Sequence, residues 1–166
     1  MADGVAGPNA HELATEILRL LIASGQTLAA AESLTGGLVA AALTDVPGSS
    51  AAFRGGVVAY APDLKAAILG VDGMLLAEHG PVYAPVAAAM ADGVRKLLGA
   101  TIGVATTGVA GPGPADGWPA GTVHIAVSLA DDTVVRTMAL AGNRDEVRRL
   151  TVERALGLLL GRLREA

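Results

Sequence analysis

Residues 122–129 and 133–140 are two apolar, strand-like runs parted by little more than Asp131-Asp132. A link that short can join only antiparallel neighbours. Other runs read as strands at 26–31, 55–60 and 101–107, and helical patterns lie between them, as parallel crossovers require. The sheet therefore has to be mixed. The run at 55–60 is apolar on both faces, which predicts a strand covered by helices on both sides.

The helices follow from their periodicity. In residues 10–23, Leu13, Ile17, Leu18, Leu20 and Leu21 recur at helical spacing, and Gly25 ends the pattern. Short helical pieces are predicted around Lys65 and Met74, and a strong helix over 85–98. A last helix spans about 144–164, with Asn143 as its cap and Val147, Leu150, Ala155, Leu158 and Leu159 facing the core. Residues 108–121 are crowded with glycine and proline, which excludes a continuous helix or a central strand and suggests a functional loop. The expected architecture is a three-layer α/β/α sandwich on a mixed five-stranded sheet, one strand antiparallel. With 166 residues there is room for one domain, placed at 10–166 after a disordered tail at 1–9.

Composition narrows the chemistry. There is no cysteine, so thiolate nucleophiles, disulfides and thiolate zinc sites are excluded. His11, His79 and His124 are far apart in sequence, which argues against a catalytic metal. The formal net charge is -4, and the basic residues fall mostly in the last third without forming a nucleic-acid stripe. No apolar run reaches the ~20 residues of a membrane helix, and the first residues lack a secretory signal. A cytoplasmic protein with no membrane or nucleic-acid partner is expected.

In open α/β sheets, ligands gather beyond the carboxyl ends of the strands. Three segments there carry reactive or phosphate-binding groups: Glu32-Ser33-Leu34-Thr35-Gly36-Gly37, Tyr60-Ala61-Pro62-Asp63-Leu64-Lys65 and Thr106-Thr107-Gly108-Val109-Ala110-Gly111. Each residue has two readings. Ser33 before Gly36-Gly37 is a nucleophile or a helix cap. Lys65 is a desolvated base or an exposed helix lysine. Tyr60, close to Lys65 in sequence, orients it by hydrogen bonding or simply packs. Glu32 faces the ligand, which under the family resemblance given below would be a cationic ring, or fixes its own turn. Gly36 and Gly37 offer backbone donors at a helix start, with Thr35 between them and the serine. Thr107, Gly108 and Gly111 line an opposite wall or only permit a turn. Arg144 binds phosphate or pairs with Asp145 or Glu146. His124 is a core histidine or a base for Ser33.

Together with Pro47-Gly48-Ser49-Ser50-Ala51-Ala52-Phe53, Gly56-Val57-Val58-Ala59-Tyr60 and Gly142-Asn143-Arg144-Asp145, these segments resemble the CinA carboxy-terminal domain family, in order from about Leu13 to Leu163. That family includes stand-alone nicotinamide mononucleotide deamidases. The resemblance implies a five-stranded mixed sheet, a serine nucleophile at Ser33 with Lys65 as its base, and hydrolysis of nicotinamide mononucleotide to nicotinate mononucleotide and ammonia. It implies no cofactor, a small nucleotide as the partner, and a homodimer. Leu34, Pro62, Tyr83 and the loop after Gly111 depart from the family pattern. Those departures motivate a rival reading, a catalytically silent nucleotide-binding module.

Overall fold

The computed structural model describes residues 7–166. Of the tail expected at 1–9, residues 1–6 lie outside the described residues, and Asn9 is the N-cap of the first helix. Helix α1 (Ala10–Ser24) opens with a capping box: Glu12 N–H donates to Asn9 Oδ1 at 3.0 Å and Asn9 N–H donates to Glu12 Oε2 at 2.9 Å. It stops at Gly25, whose φ of 68° is left-handed and suits glycine.

Strand β1 (Leu28–Glu32) leads into α2 (Leu38–Thr44), and β2 (Phe53–Val58) into α3 (Pro62–Ala67) and α4 (Gly73–His79). Then come α5 (Ala84–Leu97), β3 (Ile102–Gly108), β4 (Thr122–Ser128), β5 (Thr133–Ala139) and α6 (Arg144–Glu165). The strand order is β2-β1-β3-β4-β5. Strands β2, β1 and β3 are mutually parallel, and β4 is antiparallel to both β3 and β5. One strand of five thus runs against the rest, as the short link after β4 demands.

Side chains alternate across the sheet and feed two cores. Leu28, Ala30, Ile102, Val104, Val123, Ile125 and Val127 pack beneath α1, α2 and α6. On the other face, Ala29, Ala31, Ala105 and Ala126 pack with Val86, Ala87, Met90, Ala91 and Val94 of α5. That second face is built from small residues because α5 comes very close. A Cβ at Gly103 would lie 2.0 Å from the Ala91 carbonyl oxygen. Helix α6 starts with a second capping box between Asn143 and Glu146, with bonds of 2.7 and 2.9 Å.

Strand β2 corrects the expectation drawn from its composition. It pairs only with β1, so it is an edge of the sheet, and its residues alternate between half-buried and exposed. Val58, at its end, remains exposed. Apolar residues on both sides of a short strand report β propensity as well as burial, and glycines Gly55 and Gly56 mask the alternation.

Candidate active site

Strand β1 lies between two parallel neighbours, and its carboxyl end is held from both sides. Ser33 N–H donates to Thr106 O at 3.0 Å, and Ala59 N–H donates to Glu32 O at 2.9 Å. Ser33, the first residue past the strand, therefore sits where the ends of β1, β2 and β3 converge, and it is buried. The chain leaving β2 turns through Ala61 into α3, with Pro62 in the first helical turn. That turn directs Lys65 inward rather than to water.

Lys65 is 1 % exposed. Its Nζ donates to Ala59 O at 2.7 Å and lies within hydrogen-bond distance of Ser33 Oγ, at 2.9 Å. No carboxylate forms an ion pair with it among the described residues. Burial in a poorly polarisable site disfavours the ammonium form and lowers the Lys65 pKa from 10.5 to about 8, while the charge of Asp116 pushes the other way. About a tenth of the amine is then neutral at pH 7, far more than for a free lysine, and that form can accept the serine proton. The exposed-lysine alternative is thereby set aside.

A cleft of about 410 Å³ opens in front of this pair. Its floor is Ser33, Leu34 and Lys65; Thr107, Gly108 and Gly111 line one wall, and Tyr60 and Arg144 the rim. Thr107 is buried, and its hydroxyl donates to Pro81 O at 2.8 Å, which fixes the chain before α5 against the end of β3. At Gly108 a side chain could not fit, since a Cβ would stand 2.5 Å from Thr122 O. The N–H of Leu34, next to Ser33, makes no hydrogen bond among the described residues.

Several expected site residues take other positions. Glu32 does not face the cleft: it is 1 % exposed, and its carboxylate accepts from the Thr35 hydroxyl (2.6 Å) and from the N–H groups of Val39 (2.7 Å) and Ala40 (3.1 Å). It caps α2 and fixes the turn, the other of its two readings. Thr35 is buried between Glu32 and the Thr106 hydroxyl, 2.8 Å away. Gly36 and Gly37 have φ of 56° and 103°, and neither lines the cleft. The glycines are needed for the left-handed turn, and the carboxylate of Glu32 occupies the helix start that a phosphate would otherwise approach.

Tyr60 is also placed differently from its expected role. Its hydroxyl accepts from Arg144 Nη2 at 3.3 Å and forms no hydrogen bond to Ser33 or Lys65. Arg144 makes no ion pair with Asp145 or Glu146; its Nη1 donates to Gly111 O at 2.7 Å, so its guanidinium spans the cleft rim. His124 is buried on β4, where Nδ1 lies 2.8 Å from the Thr137 hydroxyl, and it does not line the cleft. Desolvation lowers its pKa. This position removes it as a base for Ser33.

Two residues went unremarked in the sequence. Arg148, one turn beyond Arg144, donates from Nε to Leu34 O at 3.0 Å and from Nη2 to Thr35 O at 3.3 Å. It ties the Ser33 turn to α6, and the four-residue spacing from Arg144 on one helix face is its only signal in the sequence. Asp116 lines the cleft from the glycine-proline loop. Its Asp-Gly dipeptide is a strong turn signal in the sequence. Among the described residues, no cluster of side chains could hold a metal ion, and no helix is long and apolar enough to cross a membrane.

The family model for the CinA C-terminal domain matches residues 10–163. A CinA-like protein of Frankia casuarinae is 54% identical over 159 residues, covering 96% of this chain and 37% of that protein. Another, of Gloeobacter violaceus, is 47% identical over 92% of this chain and 37% of its own length. The chain thus spans well under half the length of these relatives. Among solved structures, the competence damage-inducible protein A of Klebsiella pneumoniae superposes with a TM-score of 0.91 at 39% identity, over 95% of this chain and 98% of that one. A competence-damaged protein (CinA) superfamily protein of Escherichia coli gives a TM-score of 0.88 at 34% identity, over 96% and 92%.

Proposed function

We propose that this chain, which belongs to the CinA C-terminal domain family, is an amidohydrolase that converts nicotinamide mononucleotide to nicotinate mononucleotide and ammonia. The observation that carries this reading is the buried Lys65 amine 2.9 Å from the Ser33 hydroxyl. A serine and a desolvated lysine are a sufficient nucleophile and base for acyl transfer. In this mechanism Ser33 Oγ bonds to the carboxamide carbon as Lys65 Nζ takes the hydroxyl proton. The tetrahedral intermediate places its oxyanion near the Leu34 N–H. Lys65 then returns the proton to the amide nitrogen, the C–N bond breaks and ammonia leaves. Water repeats the sequence on the acyl-enzyme, releasing the ring carboxylate and restoring Ser33.

Arg144, at the rim, suits the phosphate of such a substrate, and Gly108 and Gly111 let the opposite wall approach it. The reaction uses no cofactor. Cytoplasmic pyridine-nucleotide salvage by a homodimer is the setting that goes with this reading. Ammonia release from nicotinamide mononucleotide by the purified chain tests it. Wild-type turnover that disappears in a folded Ser33→Ala variant is the expected result. A folded wild-type chain that binds the nucleotide without releasing ammonia would establish the silent binding module instead.

A further inference from the structure

The loop between β3 and β4 ends in a small hairpin of its own. Ala115 and Trp118 exchange backbone hydrogen bonds of 3.0 and 2.9 Å, leaving Asp116 and Gly117 as a two-residue turn. Their φ values are 53° and 80°. Positive φ at both positions is the type I′ arrangement, which Asp-Gly adopts readily. Trp118 lies edge-on to His124, with ring centroids 6.4 Å apart, so the hairpin rests on β4. The tip is held at a defined position over the cleft.

Asp116 is the only carboxylate among the cleft-lining residues, which otherwise carry the cations Lys65 and Arg144. It forms no ion pair among the described residues. We propose that Asp116 is a specificity-determining residue that selects carboxamides carried on a cationic ring, with Arg144 taking an anionic group at the far end of the same molecule. This rests on the amidohydrolase reading above. A ring-bound positive charge finds its counter-charge at the hairpin tip, whereas a neutral ring gains nothing there. Hydrolysis adds a carboxylate to the still cationic ring, so the net charge that Asp116 attracts falls to zero and the product is held less tightly than the substrate. The field of Asp116 already reaches the floor of the cleft, since it opposes the fall in the Lys65 pKa.

The test compares wild type with Asp116→Asn, a substitution that a type I′ turn accepts. The substrates are nicotinamide mononucleotide and its dihydro form, which has the same carboxamide and phosphate on an uncharged ring. The two amides differ in intrinsic reactivity, but that difference cancels when the ratio of their kcat/KM values is compared between the proteins. The expected result is a ratio about fivefold smaller in the variant, as for a solvent-accessible charge pair. An unaltered ratio overturns the proposal. A second readout does not need turnover: protection of Ser33 from a fluorophosphonate label by cationic 1-methylnicotinamide against neutral nicotinamide. Preferential protection by the cation in wild type, lost in Asp116→Asn, supports the assignment even if no amide is hydrolysed, an outcome that would sink only the amidohydrolase reading. Equal protection by the two compounds in wild type overturns the role of Asp116.

Discussion

Lys65 Nζ donates to the Ala59 carbonyl at 2.7 Å and meets Ser33 Oγ at 2.9 Å, so a backbone group at the end of β2 fixes the direction in which the amine faces the hydroxyl. Lys65 must lose its proton to act as a base. Activity should therefore be low in acid and rise with pH through a midpoint near its pKa of about 8. Lys65→Arg keeps the charge but cannot deprotonate, and should be nearly as inactive as Lys65→Ala. His124→Gln should keep the same acid limb. A pH–rate profile of kcat/KM for the three variants checks this, and activity retained in Lys65→Arg would refute the assignment.

The same burial has a cost in stability. The folded state holds the Lys65 pKa at about 8, below its ordinary 10.5, so between those values the unfolded chain binds more protons than the folded one. Stability should rise as pH increases through that window, and the full penalty should apply below it. Lys65→Met, of similar length and apolar, should stabilise the protein at pH 7 by on the order of 2 kcal/mol. Urea denaturation of both proteins at pH 7 and pH 10 measures it: the gap should narrow at the higher pH.

Arg144 reaches both Gly111 O and the Tyr60 hydroxyl. Its remaining charge faces the cleft rim, where a substrate phosphate would be recognised. Arg144→Ala should lower kcat/KM for nicotinamide mononucleotide about tenfold, the size of one lost charged hydrogen bond. Nicotinamide riboside, which lacks the phosphate, should lose far less. Steady-state kinetics on the two substrates decides the matter, because equal losses would mean that Arg144 acts only by holding the Gly111 wall.

Gly103 supports the site from below by letting α5 lie directly on β3. A methyl group there would meet the Ala91 carbonyl at 2.0 Å, well inside contact distance. Gly103→Ala should destabilise the fold by about 2 kcal/mol or more, by forcing helix and sheet apart. A loss of several degrees in Tm by calorimetry is the expected reading.

How far the sequence announces this structure depends on the reach of each signal. The β4–β5 hairpin and the capped ends of α1 and α6 are set by residues close in the chain, and they could be read directly. The edge position of β2 could not, because strand order is decided by pairing partners distant in sequence. Glu32 shows the same limit within the site. Its position beside Ser33 suggests a cleft residue, yet the path of the turn carries its carboxylate to the N–H groups of Val39 and Ala40. Arg148 was silent because its partner Leu34 lies 114 residues away. For Ser33 and Lys65, the pairing came from family resemblance, since nothing in a 32-residue separation by itself brings two side chains into contact.

The hairpin at Ala115–Trp118 closes on itself, whereas the Ser33 turn is bonded to β3 and, through Arg148, to α6. On the proposed reading, the group that would select the ring and the pair that would break the bond are consequently carried by separately supported pieces of chain. The hairpin could be exchanged for one of another length or charge as a removable head, leaving the serine and lysine in register. If the amidohydrolase proposal holds, this loop tip, rather than Ser33 or Lys65, is the natural place to begin redesigning what the cleft accepts.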